Sequence, residues 1–572
     1  MNDAALGQPD RLHWFRQAKF GMFIHWGIYA LQRNGEWVMN ADSISVQDYH
    51  ALAKQFLAER FDADAWARSA KRAGMRYMVL TTKHHDGFCL WNTKTTRFNA
   101  VRVGPRRDVV RAFVDACRRH DIRVGLYWSW VDWNYPDWAK QFIWTDLNQW
   151  RQPLPGPKAH DRMVEYLHGQ VRELMTNYGK IDVFWFDGGF LTAEQYRSRE
   201  LVDEMRRLQP QILINDRAGF PGDFGSPEGL MPTEGSDRAW ELCHCTTAST
   251  TWTSPLDDPA LFASPSELLG LLCDAAALGG NLLLNFGPQA DGTFPPSSVE
   301  QLRVIGSWMR RNAEAIRGTL GGPTGRQDWG VSTRKGNTLY LHIFRPAPRL
   351  AIRCGGVRPR RARILASNRS VHFTHSGTTL TLQLPPAKLL PVVVAVEFYE
   401  MPAINAASDI RQRLDGSVVL TANHANLRTA HADGKPVLFL SPDACGGRIL
   451  GWRRKEDYLE WTFRINRAGS YRPSFEFNNP ESLNCYARRL EIAVAGQSLH
   501  ASVPMSGRHG RFDLYSLAGA FRLSSGEYTL TIKPTMLDPG ILMNFRAVVL
   551  DRVPRVSSTT ELHPACNENV QD

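Results

Sequence analysis

The stretch IDVFWFDGG, residues 181–189, decides how this chain of 572 residues folds. A continuous apolar run of this length is typical of a parallel strand that is covered on both faces. The run stops on Asp187, which two glycines follow, and the carboxyl ends of parallel strands are where α/β barrels keep their chemistry. Asp187 is therefore a candidate catalytic carboxylate. The alternative is that it caps the next turn or helix, as Asp often does, and the stretch alone does not separate the two.

Apolar runs and amphipathic stretches alternate on both sides of this strand, from residue 20 to about residue 321. The predicted strands span residues 20–25, 77–81, 123–128, 181–186, 212–215 and 281–286, with a weaker one near 240–245. The predicted helices span residues 63–73, 109–120, 162–178, 193–208, 266–278 and 297–316. This alternation over about 300 residues predicts a (β/α)8-like TIM barrel with one degenerate unit. A doubly wound nucleotide-binding sheet needs a glycine-rich turn after the first strand, but this chain has HWGIY at residues 25–29.

The residues after 321 have a different pattern. Short apolar runs separated by Gly, Pro and Ser predict strands with little helix between them. The sequence therefore predicts an α/β barrel followed by two all-β sandwich-type domains. The predicted boundaries are a catalytic barrel over residues 1–321, a small β-sandwich over 322–401, a linker at 402–408, a second β-sandwich over 409–553 and a flexible tail at 554–572.

Composition and charge exclude several classes of protein. The net charge is +11, but the 68 basic residues are offset by 57 acidic ones and form no long tract, so no nucleic-acid partner is predicted. The sequence contains no run of 18 or more apolar residues, so it predicts no membrane span. The first residues lack a basic region followed by an apolar core, so the chain as written is expected in the cytoplasm, and in the periplasm or outside the cell if a leader has been trimmed. Nothing in the sequence indicates the oligomeric state.

Polar and aromatic residues cluster where the carboxyl ends of the predicted strands meet. They are His25 and Trp26 after the first strand, His84 and His85 after the second, Tyr127 and Trp128 in the third, Trp185 and Asp187 in the fourth, and Asp216 and Arg217 after the fifth. Hydrogen-bond donors beside indole rings predict a pocket for a small ligand rich in hydroxyl groups, such as a sugar. A metal site is the weaker interpretation, because adjacent His84 and His85 on a strand are expected to point to opposite sides. We therefore predict no metal and no cofactor.

Hydrolysis of a glycoside needs a second carboxylate near the first. One carboxylate attacks the sugar or activates water, and the other protonates the departing oxygen. Glu228, Glu234 and Glu241 follow Asp187 along the chain, and Glu36 precedes it. The residue pattern alone does not rank these four.

Taken together and in order, the motifs resemble those of the α-L-fucosidases of glycoside hydrolase family 29. The similar segments are FIHWG at residues 23–27, EW at 36–37, LTTKHHDGF at 80–88, WFDG at 185–188, NDR at 215–217, GNLLLN at 280–285, GP at 287–288 and ADGT at 290–293. The order and spacing make the resemblance specific from residue 20 to about 321. It implies a retaining exo-hydrolase that removes terminal α-L-fucose through a covalent glycosyl-enzyme. The expected partner is then a fucosylated oligosaccharide or glycoconjugate.

The resemblance also implies roles for individual residues. Asp187 matches the nucleophile of the family, and Glu228, in GDFGSPE at residues 222–228, matches the acid/base of many members. Glu241, in a Trp-Glu motif, is the alternative acid/base. The implied sugar-binding residues are His25, Glu36, Trp37, His84, His85, Tyr127, Trp128, Trp185, Arg217 and Trp252.

This chain departs from the family pattern at two places. Trp128 stands where the Gly-x-Tyr-Tyr-Ser motif has its second Tyr, and STTW at residues 249–252 replaces Ser-Trp-Gly-Tyr. Both departures are expected at the pocket rim, so a related exo-glycosidase acting on L-galactose is one alternative. A non-catalytic fucose-binding protein is the other, although both carboxylate candidates are present. Residues 409–553 look like the carbohydrate-binding β-sandwiches appended to such enzymes. A sandwich that only packs against the enzyme or mediates assembly is the alternative there.

Overall fold

The structure, a computed structural model, describes most of the chain. The described residues are 11–136, 156–189, 191–229, 231–232, 236–247, 251–254, 258–386, 391–404, 410–428, 439–441, 448–450, 452, 454–478, 488–503, 512–537 and 542–553. The predicted tail at 554–572 and residues 405–408 of the predicted linker lie outside these ranges, as does the candidate Glu234.

A seven-stranded parallel sheet forms the framework of the first part of the chain. Its strands are β1 (Phe20–Ile24), β2 (Tyr77–Lys83), β3 (Arg123–Ser129), β4 (Val183–Asp187), β5 (Leu213–Ile214), β6 (Glu241–Cys245) and β7 (Asn281–Asn285). The order in the sheet is β5-β4-β3-β2-β1-β7-β6, with every neighbouring pair parallel. All seven predicted strands are present, including the weak one, with their ends displaced by a residue or two.

The sheet curls into a barrel-like form, and residues 224–228 lie between its two edge strands. Parallel bridges pair Asn215, just after β5, with Phe224, and pair Gly225 and Glu228 with Trp240 and Cys243 at β6. The backbone N–H of Cys243 donates to the carbonyl oxygen of Pro227 at 3.0 Å. The sequence predicts no strand here, because Gly, Ser and Pro are poor strand formers.

Alternate residues of the strands face the barrel interior or the surrounding helices, as the pleat of a strand requires. Phe23, Tyr127 and Trp185 belong to the interior cluster, to which the ring of Phe15 also belongs. Trp128 and Phe186, one position further along the chain, pack in the larger cluster between strands and helices. Both faces of the strands are therefore apolar, which explains their continuous hydrophobic runs.

The helices cover the outside of this sheet, and five of those described begin at a Ser, Thr or Asp whose side chain caps the helix. They are α1 (His13–Ala18), α2 (Val38–Ala41), α3 (Val46–Ala53), α4 (Ala63–Ala73), α5 (Val109–Arg119), α6 (Pro157–Asn177), α7 (Ala193–Tyr196), α8 (Ser198–Leu208), α9 (Pro265–Ala277) and α10 (Pro296–Asn312). The helix predicted over residues 193–208 is two helices, since Arg197 has a φ of 51° and interrupts it. No helix among the described residues is long and apolar enough to cross a membrane.

A first antiparallel block follows the barrel. Its strands are β8 (Leu320–Gly321), β9 (Gly330–Lys335), β10 (Thr338–Ile343), β11 (Arg349–Arg353), β12 (Arg361–Ile364), β13 (Phe373–Ser376), β14 (Thr379–Gln383) and β15 (Val392–Glu397). They form a five-stranded and a three-stranded sheet that share one apolar core. The other face of the larger sheet contributes Val331, Val393 and Ala395 to the core of the barrel. This block therefore packs directly against the barrel.

A second block, antiparallel except for the pairing of its first strand, ends the described chain. Its strands are β16 (Ile410–Arg411), β17 (Val418–Thr421), β18 (Asn426–Arg428), β19 (Phe439–Ser441), β20 (Arg448–Leu450), β21 (Tyr458–Ile465), β22 (Gly469–Asn478), β23 (Arg488–Val494), β24 (Gln497–Ser502), β25 (Asp513–Ser516), β26 (Phe521–Leu523), β27 (Gly526–Leu537) and β28 (Asn544–Val553). They form two sheets around a separate apolar core. The domain boundaries and the carbohydrate-binding role of this block stay predictions.

Candidate active site

A cavity of about 310 Å³ opens at the carboxyl ends of the barrel strands. Its lining consists of Phe23, His25, Glu36, Trp37, His84, His85, Tyr127, Trp185, Asp187, Arg217, Glu228, Cys243 and Trp252. The structure thus brings together eleven of the thirteen site residues expected from the sequence. Glu241 and Trp128 are the two that do not line this cavity.

Asp187 lies at the end of β4 with both carboxylate oxygens bound. The hydroxyl of Tyr127 donates to Oδ2 at 2.7 Å, and the guanidinium of Arg217 donates to Oδ1 at 2.9 Å. Burial raises the pKa of Asp187, but Arg217, His85 and the Tyr127 hydroxyl outweigh burial and lower this pKa to about 2. The carboxylate is therefore ionised at neutral pH and held in one orientation, as a nucleophile requires.

The segment after Asp187 shows whether this residue caps the next helix, the alternative to a catalytic role. The N-cap of the next helix, α7, is Thr192, whose side chain forms a capping box with Gln195. Gly188 has a φ of 67°, and a Cβ atom there would lie 2.9 Å from the Val131 side chain and 3.0 Å from Ser129 Oγ. Glycine is thus required for the tight turn, and Asp187 does not serve as the cap of the following helix.

Arg217 connects Asp187 with a second carboxylate. One terminal nitrogen of its guanidinium binds Asp187, and the other donates to Glu228 Oε2 at 2.8 Å. The indole of Trp185 lies against the guanidinium, 4.6 Å from Cζ to the ring centroid. Burial lowers the pKa of Arg217, but Asp187, Cys243 and Glu228 together more than offset this effect, so the side chain stays cationic. Asp187 and Glu228 are consequently separated by the width of one guanidinium group.

Glu228 lies at the mouth of the cavity, at the end of the segment 224–228. The side chain of Glu228 is 45% exposed, whereas that of Asp187 is 18% exposed. The hydroxyl and backbone N–H of Ser226 donate to Asp216 Oδ1, which fixes the backbone two residues before Glu228. Among the three candidate second carboxylates that the structure describes, Glu228 is therefore both close to Asp187 and open to water.

The three cavity histidines are neutral hydrogen-bonding groups. Burial lowers the pKa of His25 to about 3 and that of His85 to about 4, and it also lowers the pKa of His84. The amide nitrogen of Asn285 donates to the carbonyl of Trp252, so the amide oxygen accepts a hydrogen bond from His25 Nδ1 at 2.9 Å. His25 Nε2 is thereby left as an acceptor.

The expectation that His84 and His85 point to opposite sides is wrong. β2 ends at Lys83, so the strand alternation no longer applies, and both imidazoles line the cavity. Ligand atoms of His84, His85 and Asp187 lie within 4.8 Å of one another, a spacing that a metal ion could use. The guanidinium of Arg217 already supplies a positive charge to Asp187. The absence of a metal stays a prediction.

Glu36 is a third carboxyl group in the cavity wall. It is 7% exposed, and its Oε2 accepts the backbone N–H of Trp252 at 2.9 Å. Burial raises the pKa of Glu36 to about 7, with smaller contributions in the same direction from Glu228 and Asp187. Glu36 can therefore present a proton to a ligand hydroxyl group at slightly acid pH.

The Glu36→Gln variant is expected to gain stability relative to the wild type as the pH rises from about 4.5 to 7. A carboxyl whose pKa is raised on folding contributes stability below its unfolded value of 4.5 and loses this contribution as the pH rises through about 7. Gln does not titrate, so the free energy of unfolding of the variant minus that of the wild type should rise by up to roughly 3 kcal/mol across this window.

Urea unfolding of both proteins at pH 5 and pH 8 measures this difference. Glu59→Gln, at an exposed position, is the matched control for the chemical change alone. A difference between Glu36→Gln and wild type that stays constant from pH 5 to pH 8 would contradict the neutral state of Glu36 in the folded protein.

The expectation that Trp128 lies at the pocket rim is wrong. Tyr127 faces the barrel interior, so the next residue of β3 faces the helices, and Trp128 is completely buried there. Its indole N–H donates to Gln170 of α6 at 3.0 Å, and Lys83 Nζ lies 4.4 Å from its ring. This departure from the family motif therefore does not touch the cavity. The second departure reaches the cavity, because Trp252 is in the cavity wall. Ser249 and Thr250 of the same segment lie outside the described residues.

Glu241 is one layer below the cavity, inside the barrel. It is fully buried, and both of its oxygens accept hydrogen bonds, from the hydroxyl of Tyr77 and from the indole N–H of Trp185. Burial raises the pKa of Glu241 to about 7. Glu241 does not line the cavity, and both of its oxygens are already engaged by donors from the barrel interior.

Two cavity residues, Phe23 and Cys243, were not expected from the sequence. Each lies on a strand at two residues' distance from a residue that was considered, Phe23 before His25 and Cys243 after Glu241. The period of two along a strand was the signal that could have identified them. Asn285 and Ser129, which orient His25 and His85, could not be recognised without the fold.

Comparison with known proteins shows which family this chain resembles. The family model described as Alpha-L-fucosidase matches residues 2–314. The tissue alpha-L-fucosidase of Mus musculus is 29% identical over 362 residues, which cover 58% of this chain and 76% of the mouse protein. The structure of alpha-L-fucosidase isoenzyme 1 from Paenibacillus thiaminolyticus is 35% identical and superposes with a TM-score of 0.63, covering 68% of this chain and 99% of its own.

Two further solved structures are informative. The alpha-L-fucosidase of Vibrio sp. strain EJY3 is 24% identical and covers 96% of this chain and 98% of its own with a TM-score of 0.69, so its fold extends through both antiparallel blocks. A family 29 alpha-L-fucosidase of Bacteroides thetaiotaomicron, 27% identical with a TM-score of 0.61 over 68% of this chain and 96% of its own, was trapped as a covalent intermediate with 2-fluoro-fucosyl fluoride. With the family model matching more than half of its length, this chain belongs to the alpha-L-fucosidases of glycoside hydrolase family 29.

Proposed function

We propose that this protein is a retaining exo-α-L-fucosidase that releases terminal α-L-fucose from oligosaccharides or glycoconjugates, built on a (β/α)8-like TIM barrel. The observation that carries the proposal is the pair of carboxylates, Asp187 and Glu228, on one guanidinium group. Retaining glycosidases need their two carboxyl groups about 5–5.5 Å apart, whereas inverting enzymes leave room for a water between them. Because Asp187 and Glu228 share the guanidinium of Arg217, the shorter carboxyl separation of a retaining enzyme is favoured.

The proposed reaction is a double displacement. Asp187 attacks the anomeric carbon, and its Oδ–C bond forms as the bond to the glycosidic oxygen breaks and Glu228 gives that oxygen a proton. Glu228, now a carboxylate, then takes a proton from water, whose oxygen displaces Asp187 and releases α-L-fucose. The low pKa of Asp187 keeps the nucleophile ionised, and the exposure of Glu228 gives it access to both the departing group and water. The trapped intermediate of the Bacteroides relative supports the covalent step.

The cavity suits a single deoxy sugar. Its volume of about 310 Å³ is at the small end of ligand pockets, which supports removal of one terminal residue. The three neutral histidines and Arg217 offer partners for ring hydroxyl groups. Phe23 and Trp252 meet at 5.7 Å between ring centroids and form an apolar wall. An apolar wall favours the methyl group of fucose over the hydroxymethyl group of L-galactose, whose hydroxyl would lose hydration there.

Hydrolysis of 4-nitrophenyl glycosides tests this proposal. The wild-type protein should hydrolyse the α-L-fucoside faster than the α-L-galactoside, and NMR spectra taken directly after mixing should show α-L-fucose as the first product. β-L-Fucose as the first product would contradict the retaining mechanism. Faster hydrolysis of the galactoside would identify the L-galactose-acting relative, and tight binding of fucose without hydrolysis would identify a binding protein.

A further inference from the structure

Glu241 is a buried carboxyl group that the proposed reaction does not use. It lies in the barrel interior with 0% exposure, and Oε1 accepts the indole N–H of Trp185 at 3.2 Å while Oε2 accepts the hydroxyl of Tyr77. Burying a carboxyl group is costly unless its hydrogen bonds are satisfied. These two hydrogen bonds satisfy the carboxyl group of Glu241, and the indole that donates one of them belongs to the cavity wall.

The indole of Trp185 occupies a central place beside the nucleophile. Its ring stacks against Tyr127 with centroids 5.6 Å apart and an interplanar angle of 19°. The guanidinium of Arg217 lies against the same ring at 4.6 Å. Tyr127 and Arg217 are the two groups that bind the two oxygens of Asp187. The position of this indole therefore sets the position of both donors to the nucleophile.

We propose that Glu241 is a positioning residue, which anchors the indole of Trp185 between Tyr127 and Arg217 and thereby holds the carboxylate of Asp187 in its attacking orientation. This inference rests on the proposed function. It assigns Glu241 a role different from that of an acid/base, which must reach the departing oxygen. Glu241 acts through Trp185 and does not exchange protons with the substrate.

Two substitutions separate an anchor from a proton donor. Glu241→Leu removes the acceptor for the indole, and kcat should fall by about 10- to 100-fold because the nucleophile is misplaced. Glu241→Gln keeps an oxygen acceptor for the indole N–H, while its amide nitrogen can donate to Tyr77, and it should retain most of the activity. An acid/base residue would lose its function in both variants.

The dependence on the leaving group is the readout that a proton donor would change. Phenyl and 4-nitrophenyl α-L-fucosides differ in the basicity of the departing oxygen, and the loss of a proton donor slows the phenyl substrate far more. For both Glu241 variants, the ratio of the two kcat/KM values should equal that of the wild type. Sodium azide should give no α-L-fucosyl azide with either variant.

A double-mutant cycle with Trp185→Phe tests the route of the effect. Phe keeps an aromatic ring but has no N–H group, so Glu241→Leu should cost little more in this background than Trp185→Phe alone. Tyr77→Phe removes the other donor to Glu241 and is the matched control, which should lower the thermal midpoint with little change in kcat. Independent, additive effects of Glu241→Leu and Trp185→Phe on kcat would overturn the proposal.

The outcomes remain decisive if Glu241→Leu does not fold. Glu241→Gln then decides, because a steeper dependence on the leaving group together with formation of α-L-fucosyl azide would make Glu241 the acid/base and overturn the inference. A wild-type leaving-group ratio would support it. Failure of the proposed function is a separate result, namely a wild-type protein that hydrolyses no α-L-fucoside.

Discussion

Replacing Asp187 by glycine is expected to lower kcat/KM for an aryl α-L-fucoside by about 10⁴-fold or more, the scale seen when a catalytic nucleophile is removed. The carboxylate is ionised, with a pKa of about 2, and both of its oxygens are oriented by Tyr127 and Arg217. Water cannot replace it, because water at this place is neither charged nor positioned. Steady-state kinetics with 4-nitrophenyl α-L-fucoside measure the loss.

Azide distinguishes loss of the nucleophile from misfolding of the site. In Asp187→Gly, azide can attack from the vacated side of the sugar, so the product should be β-L-fucosyl azide, with inverted configuration. The expected recovery of rate depends on azide concentration and on a good leaving group. A variant that keeps wild-type activity, or one that forms the α-azide, would contradict the assignment of Asp187.

Replacing Glu228 by glutamine is expected to slow the phenyl α-L-fucoside by about 10²- to 10⁴-fold, the usual contribution of a general acid. The same variant should form the covalent intermediate from the 4-nitrophenyl substrate at a rate much closer to that of the wild type, since this leaving group needs little proton donation. Glu228 lines the open mouth of the cavity, beside the guanidinium that also binds Asp187. Pre-steady-state release of nitrophenol measures this first step.

The azide product again provides the control. Azide reacts with the fucosyl-enzyme of Glu228→Gly from the side that water normally uses, so α-L-fucosyl azide is expected, in contrast to the β-azide of Asp187→Gly. Opposite products from two variants of one cavity cannot arise from general damage to the fold. Equal sensitivity of Glu228→Gln to both leaving groups would show that another residue donates the proton.

Much of the barrel could be predicted from the sequence because its signals are local. Each strand is a continuous apolar run, and a parallel sheet brings all carboxyl ends to one edge. His25, Tyr127 and Asp187 could thus be assigned to one site before their distances were known. The segment 224–228 could not be predicted in the same way, since its pairing with β6 is made by the backbone of residues that have poor strand propensity.

The resemblance to the family favoured Glu228 over Glu241 as the acid/base, but the residue pattern alone could not rank them. Glu228 and Glu241 are separated by thirteen positions, and nothing in the residues next to them indicates how deeply each side chain is buried in a barrel. Their surroundings separate them: the side chain of Glu228 is 45% exposed at the mouth, and Glu241 is buried beneath Trp185. The orientations of Trp128 and of the His84-His85 pair were mispredicted for a related reason, since a strand's face and its last residue depend on its neighbours in the sheet.

The sequence by itself determined the alternation of strands and helices, the family and the position of Asp187 at a strand end, because these depend on local hydrophobic patterns and on an ordered set of motifs. The family motifs favour Glu228, and only the tertiary structure shows the physical basis for choosing it as the carboxyl group beside Asp187. That choice depends on burial and on the single guanidinium of Arg217, which joins residues that lie thirty and eleven positions away from it. Charge pairing and desolvation act through space, and the order of residues along the chain does not record them.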